Sequence, residues 1–246
     1  MLILAIDSSG ATAGAALINE DIVVGELNIN ADRTHSEILL PMVERLFALT
    51  NHSLADVDFV ASTCGPGSFT GLRIGAATAK GLACGAEKPL IAVPTLDALA
   101  YNFQHTPHWI VPMMDARRIQ VYAAFYLCER GRPLRYSGYM AVSVDDALAS
   151  IVQTIESHAT QGCDREIVFL GDGAAAHRER IIGYGLTYPY SFASSSCNRQ
   201  RAASVGACAL HMAAEGIYSD EGDFTLQYVR KPQAERERDK PPHTAP

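Results

Sequence analysis

Apolar and polar positions recur with two periods along this chain, and each change of period marks an element. LILAIDSS is a continuous apolar run closed by a carboxylate, which predicts a buried strand. TAGAALIN and DIVVGELNIN follow as two more strands, with turn residues between them. In SEILLPMVERLFALT the apolar positions Ile38, Leu39, Met42, Val43, Leu46 and Phe47 have helical spacing. VDFVASTCG then reads as a strand, TGLRIGAATAKGLACGA as a helix, PLIAVPT as a strand and LDALAYNF as the start of a helix. The second half runs through the same order. HWIVPMMDARR, IQVYAAFYLCER and RPLRYSGYMAVSV are expected strands, and DDALASIVQTIESH a helix. REIVFLGDG is a strand, AAAHRERIIGYG a short helix, LTYPYSF a strand and RAASVGACALHMAAEG a last helix.

Two copies of βββαβαβα describe the α/β fold with two ribonuclease-H-like lobes found in actins, sugar kinases and acetate kinases. The expected lobes are residues 1–104 and 105–230, dividing near Tyr101–His108, with the last helix free to pack back on the first lobe. Residues 231–246 are charged and proline-containing. Without apolar periodicity this tail is expected to be disordered beyond about residue 233.

Composition narrows the class. Hydrophobic residues make up 48% and charged residues 19%, as in a soluble globular protein. The apolar N-terminus has no basic region before it and is broken by Asp7, so a strand is expected there in place of a signal peptide. No apolar run has the length of a membrane span. The six cysteines form no CxxC pair and are expected to be free thiols in a cytoplasmic protein. With a net charge of −7 and no basic run, contact with RNA is expected to go through a partner.

The glycine-rich stretch TCGPGSFTGLRIGAATAKGLACG raises the question of phosphate binding. A Walker A loop needs GxxxxGK[ST], but Gly65 to Gly71 is one residue too long and Leu72 follows. For a dinucleotide fingerprint, Thr70 stands where the third glycine belongs. A tight turn into a helix capped by Ser68 or Thr70 accounts for the stretch better. Gly71, Gly75 and Ala79 then form a stripe without side chains, suited to a close contact within the chain or across a subunit interface. Asp7-Ser8-Ser9-Gly10 and Asp115-Ala116-Arg117-Arg118 hold equivalent places in the two halves. Two facing carboxylates there would suit Mg-ATP chemistry, whereas the bland alternative is a pair of strand-end turns. Gly171-Asp172-Gly173-Ala174 is a weak adenosine loop, so no firmly bound cofactor is expected. Position i+4 from His35 is Leu39, which breaks an HxxxH metal pair.

LAIDSS, HSEILLPMVERL, GPGSFTGLRIGAATAKGLA, VPTLDALA, MDARRIQVYAAFY and QYVRKPQAE together resemble the bacterial TsaB (YeaZ) family. The resemblance implies two lobes of the actin/acetate-kinase fold and a part in making N6-threonylcarbamoyladenosine beside the tRNA anticodon. It implies a non-catalytic subunit that pairs with the transferase TsaD, works with the ATPase TsaE, forms homodimers when free and meets tRNA through the complex. The metal-binding HxxxH of the transferase is replaced here by His35 and Leu39. The resemblance also implies a partner surface on the two helices of the first lobe, expected to include His35, Leu39, Met42, Gly71, Arg73, Ile74, Gly75 and Thr78. Asp7, Ser8, Ser9, Asp115 and Arg117 are left as a vestigial nucleotide or anion site. The competing expectation is an ATPase or phosphotransferase that uses Asp7 and Asp115.

Overall fold

The computed structural model describes residues 1–30, 34–158, 165–219 and 223–229. The tail at 231–246 lies outside the described residues. The first sheet contains β1 (Ile3–Asp7), β2 (Ala13–Ile18), β3 (Val23–Ile29), β4 (Phe59–Gly65) and β5 (Leu90–Pro94). Their order is β3-β2-β1-β4-β5, antiparallel among the first three and parallel from β1 to β5. Every residue of β1 and β2 is buried, because helices cover both faces of the sheet. On one face lie α1 (His35–Thr50) and α2 (Phe69–Ala86), with Leu39, Met42, Leu46, Ala76 and Ala79 in the core beneath them. On the other lie α3 (Thr95–Ala100) and the late helix α7 (Ala202–Ala214), with Ile3, Ala5, Val205 and Ala209 between.

The second sheet contains β6 (Trp109–Asp115), β7 (Gln120–Ala123), β8 (Tyr126–Glu129), β9 (Arg132–Arg135), β10 (Met140–Ser143), β11 (Ile167–Leu170) and β12 (Tyr190–Phe192). Its main order, β10-β7-β6-β11-β12, repeats that of the first sheet strand for strand, and β8 pairs with β6 and β9. This repeat makes the protein a two-lobed actin-like α/β fold. The helices α4 (Val144–Ser157), α5 (Asp172–Ala176) and α6 (Arg178–Gly183) cover the second sheet. Helix α3 lies between the lobes, where Leu96 and Leu99 pack with Ile110, Met114 and Leu170. The Asp97 carboxylate crosses the same boundary, accepting hydrogen bonds from Tyr126 (2.6 Å) and Tyr139 (2.9 Å). No helix of the described residues is long and apolar enough to cross a membrane.

Two expectations need correction. IQVYAAFYLCER and RPLRYSGYMAVSV each form two strands, not one. Ala124 and Phe125 are both buried, so alternation slips there, and Phe125 N–H bonds to the Ser137 hydroxyl in place of a strand. Helix α7 packs on the first sheet, and Ser219 pairs with Leu90 at the β5 edge. From there residues 223–229 run across the first lobe. Phe224 enters its core, Gln227 N–H bonds to Cys64 O, and Tyr228 stacks on Phe69. The second correction is that the strand expected over HWIVPMMDARR ends at Asp115; in the turn after it, Arg117, Arg118 and Ile119 take φ values of 63°, 56° and 60°. That left-handed region disfavours side chains, a β-branched one most of all. Ile119→Gly is therefore expected to stabilise the chain by about 1 kcal/mol, raising a thermal midpoint by about 2–4 °C. An unchanged or lowered midpoint would show that the turn is not strained.

Candidate functional site

The Asp7 loop follows β1 and leads into β2. Asp7 is 1% exposed, and Ser8 and Ser9 are fully buried. One carboxylate oxygen of Asp7 accepts from the Ser9 N–H (2.7 Å), the Ser9 hydroxyl (2.7 Å) and the Thr63 hydroxyl (3.3 Å). Its Oδ2 is buried without a partner. Burial pushes the carboxyl up from an ordinary 3.8 to about 6, against the lowering effect of those hydrogen bonds.

Glycines bring α2 onto this loop. A Cβ on Gly71 would strike the Ser8 carbonyl oxygen, one on Gly75 the Ser8 hydroxyl, and one on Gly67 the Ser9 carbonyl oxygen. Ser8 donates to Gly71 O (2.8 Å), Ser68 N–H donates to Ser9 O (2.7 Å), and Ser68 caps the helix through Gly71 N–H (3.3 Å). The glycine stripe thus serves packing, as its spacing suggests, but against a loop of the same lobe and not against another helix. The residues here do not fit a magnesium–phosphate cradle: the carboxylate is enclosed, the Ser9 hydroxyl is spent on it, and the Ser8 hydroxyl and carbonyl face α2.

The equivalent loop of the second lobe is more open. Asp115 ends β6 and is 39% exposed at its side chain, with its Oδ1 3.7 Å from His177 Nε2. The same oxygen accepts from Arg117 N–H (2.8 Å). Asp172 accepts from the Asp115 N–H (3.2 Å) and Gly173 N–H (3.0 Å), and its pKa is raised by burial. Gly171 and Gly173 pack on the backbone of β6, where a Cβ would meet Met113 and Met114. They hold α5 against the strand. Among the described residues, no hydrogen bond or ion pair joins Asp7 to Asp115, and no group of three or more His, Cys, Asp or Glu could hold a metal ion.

Asp7 makes a prediction about pH. Unfolded, its carboxyl titrates near 4; folded, near 6. Its contribution is therefore most favourable below pH 4 and is lost as pH rises to 6, at about 1.4 kcal/mol per pH unit. Asp7→Asn should stabilise the fold at pH 8 by about 2 kcal/mol after allowing for the amide it buries, with no gain at pH 3.5. Denaturant titrations at the two pH values check this; an equal effect at both would mean that the Asp7 carboxyl titrates alike in the folded and unfolded chain.

The residues expected on the partner surface divide. Leu39 (1% exposed) and Met42 (4%) are core residues under α1, and Gly71 and Gly75 are covered by Ser8. A chain folded this way has already used these four. His35, Ile74 and Thr78 are half-buried and Arg73 is exposed, with its guanidinium 3.8 Å over the Phe69 ring and its Nε 3.4 Å from Tyr228 Oη. Outside them α1 presents Leu40 (46% exposed) and Leu49 (60%). Helix α2 presents Phe69, Ala77 and Cys84, together with Gly81 and Gly85, where a Cβ would meet nothing within 4 Å. These positions were legible: Ala77, Gly81 and Gly85 repeat at i+4, two residues and about 200° round the helix from Gly75.

The profile of the family described as TsaD, tRNA N6-adenosine threonylcarbamoyltransferase, matches residues 27–236. A relative from Bacillus subtilis, named tRNA threonylcarbamoyladenosine biosynthesis protein TsaB, is 35% identical over 181 residues, 74% of this chain and 75% of that protein. The chain belongs to the TsaB (YeaZ) family. The TsaB of Escherichia coli is 39% identical over 128 residues, 51% of this chain and 55% of that protein. The same fold occurs in a solved Pseudomonas aeruginosa structure described as an uncharacterized protein with similarity to peptidase YEAZ. It superposes with a TM-score of 0.75 at 25% identity, covering 93% of this chain and 99% of that one. The enclosed Asp7 loop and the exposed apolar residues of α1 and α2 are thus the features that this TsaB-family chain offers for interpretation.

Proposed function

We propose that this chain is a non-catalytic subunit of the assembly that forms N6-threonylcarbamoyladenosine on tRNA. It pairs with a TsaD-type transferase through the outer face of α1 and α2. The observation that supports this most is the division of labour in the first lobe. Its Asp7 loop, which would meet a nucleotide in a kinase of this fold, is closed by α2. The exposed side of the same helix carries small residues and Phe69, and the neighbouring α1 exposes Leu40. Apolar side chains around a small-residue stripe suit a second helical pair. Free chains would use that face for homodimers, in competition with the transferase. A TsaE-type ATPase completes the assembly, in the cytoplasm, and the chain itself holds no cofactor firmly.

The test is threonylcarbamoyl transfer to tRNA by the transferase, with the ATPase and the adenylate-forming enzyme present, in the presence and absence of this chain. Transfer that requires the chain supports the reading; transfer of equal rate without it would sink it. Mg-ATP binding by the isolated chain, lost in Asp7→Asn, would point instead to the ATPase or phosphotransferase.

A further inference from the structure

The turn between β6 and β7 holds two arginines in backbone conformations that glycine would adopt without strain. Its ends are fixed: Ala116 N–H bonds to Gln120 O (2.9 Å), Gln120 N–H to Arg117 O (3.2 Å), and Arg117 N–H to the Asp115 carboxylate (2.8 Å). Arg117, Arg118 and Ile119 are all exposed. Beside them opens a groove of about 480 Å³ lined by Ile119, Ala175, Ala176, His177, Arg178, Glu179 and Arg180. It lies by the carboxyl ends of the parallel neighbours β6 and β11, where open α/β sheets receive ligands.

Three arginines there have no carboxylate partner among the described residues. Arg180 is held by Asp145 through two hydrogen bonds of 2.8 and 2.6 Å. Asp115 is engaged by the Arg117 N–H and faces His177. The guanidinium groups of Arg117, Arg118 and Arg178 enter no ion pair and no hydrogen bond among the described residues; Arg178 lies 4.1 Å over the Phe192 ring. Glu179 is the remaining carboxylate of the groove lining. Arg178 lines the groove, and Arg117 and Arg118 precede its Ile119 in the chain, so three guanidinium groups without an ion pair flank it in a chain whose net charge is −7.

We propose that this arginine turn and groove bind the ribose–phosphate backbone of the RNA that the assembly modifies. Guanidinium groups suit phosphate oxygens, and an open groove suits a strand passing across it better than a small molecule that needs enclosure. Exposed Ile119 and the Arg178–Phe192 stack give unpaired bases an apolar surface to lie against. The acidic remainder of the chain limits binding by the free subunit, so the contact acts once the partner supplies the rest of the RNA site. The inference rests on the subunit reading above.

The experiment titrates labelled tRNA into the complex of full-length chain and transferase, by anisotropy, at salt concentrations from about 50 to 200 mM. Arg117→Ala/Arg118→Ala should weaken binding about tenfold and reduce the magnitude of the salt slope by about 1–2. Arg178→Ala, on a different element, should reduce the slope by about 1, and Arg117→Lys/Arg118→Lys should retain most of it. Unchanged affinity and slope in alanine variants that co-elute with the transferase would overturn the proposal. Loss of slope restored by the lysine pair supports it. Failure of the wild-type chain to co-elute counts against the subunit reading, and is seen before any RNA is added.

Discussion

Gly71→Ala is expected to destabilise the fold by about 3 kcal/mol, an unusually large effect for a single methyl group. Its Cβ would fall on the carbonyl oxygen of Ser8, a backbone atom in a fully buried loop. A flexible side chain could turn aside; this carbonyl belongs to a loop tied to α2 by the Ser8 hydroxyl on Gly71 O and by Ser68 N–H on Ser9 O. Moving it would shift the Asp7 carboxylate from the hydrogen bonds that compensate its burial. Helix propensity works in the opposite direction, favouring alanine by about 1 kcal/mol, so a net loss measures the steric clash. Gly81→Ala is the matched control on the same helix. It meets nothing within 4 Å and should gain up to about 1 kcal/mol in the free chain. Urea denaturation reads both, with an unchanged slope showing that the folded state is the same. If Gly71→Ala were as stable as Gly81→Ala, the loop and α2 could not be packed as described.

Much of this arrangement was legible from periodicity. The buried strand LILAID and the helices over 35–50 and 69–86 follow from apolar spacing alone, and the repeated element order predicts the two sheets. Spacing also placed Gly71 and Gly75 on one helical face. It did not say which side of the helix that face takes, because a glycine face fits a loop, a sheet or a partner equally well. The answer depended on tertiary contact with Ser8, sixty-three residues earlier in the chain. Leu39 and Met42 lie in the core for a related reason: apolar positions that define a helix are normally its buried positions, and Leu40 is an exception on its exposed side. The strap at 223–229 was missed although Phe224, Leu226 and Tyr228 alternate with polar residues, since one short alternating run is weak against a charged tail. Asp7 was recognised as a strand-end carboxylate; its enclosure follows from the glycines of a distant helix.

Ala77→Arg and Gly81→Arg should each abolish pairing with the transferase, weakening it by a factor of about 100 or more, while leaving the isolated chain folded. Both positions are exposed on α2, whereas Gly71 and Gly75 are buried against the Asp7 loop. Arginine there reaches solvent in the free chain, so its stability effect is small. In a helix-to-helix contact it separates the backbones and buries a charge without a counterion. Leu40→Asp on α1 tests the same face from the neighbouring helix and should act in the same direction. Calorimetric titration with the transferase, beside denaturation of each free variant, separates docking from folding. Gly75→Leu cannot make that separation, because its side chain would be driven into Ser8 and lose the fold along with any interface. The proposed competition adds a second readout: variants that lose the transferase should lose the homodimer at equilibrium sedimentation too. Loss of one without the other would assign the two contacts to different faces. Retention of both would move the partner site away from α1 and α2 and leave their exposed apolar residues without a partner.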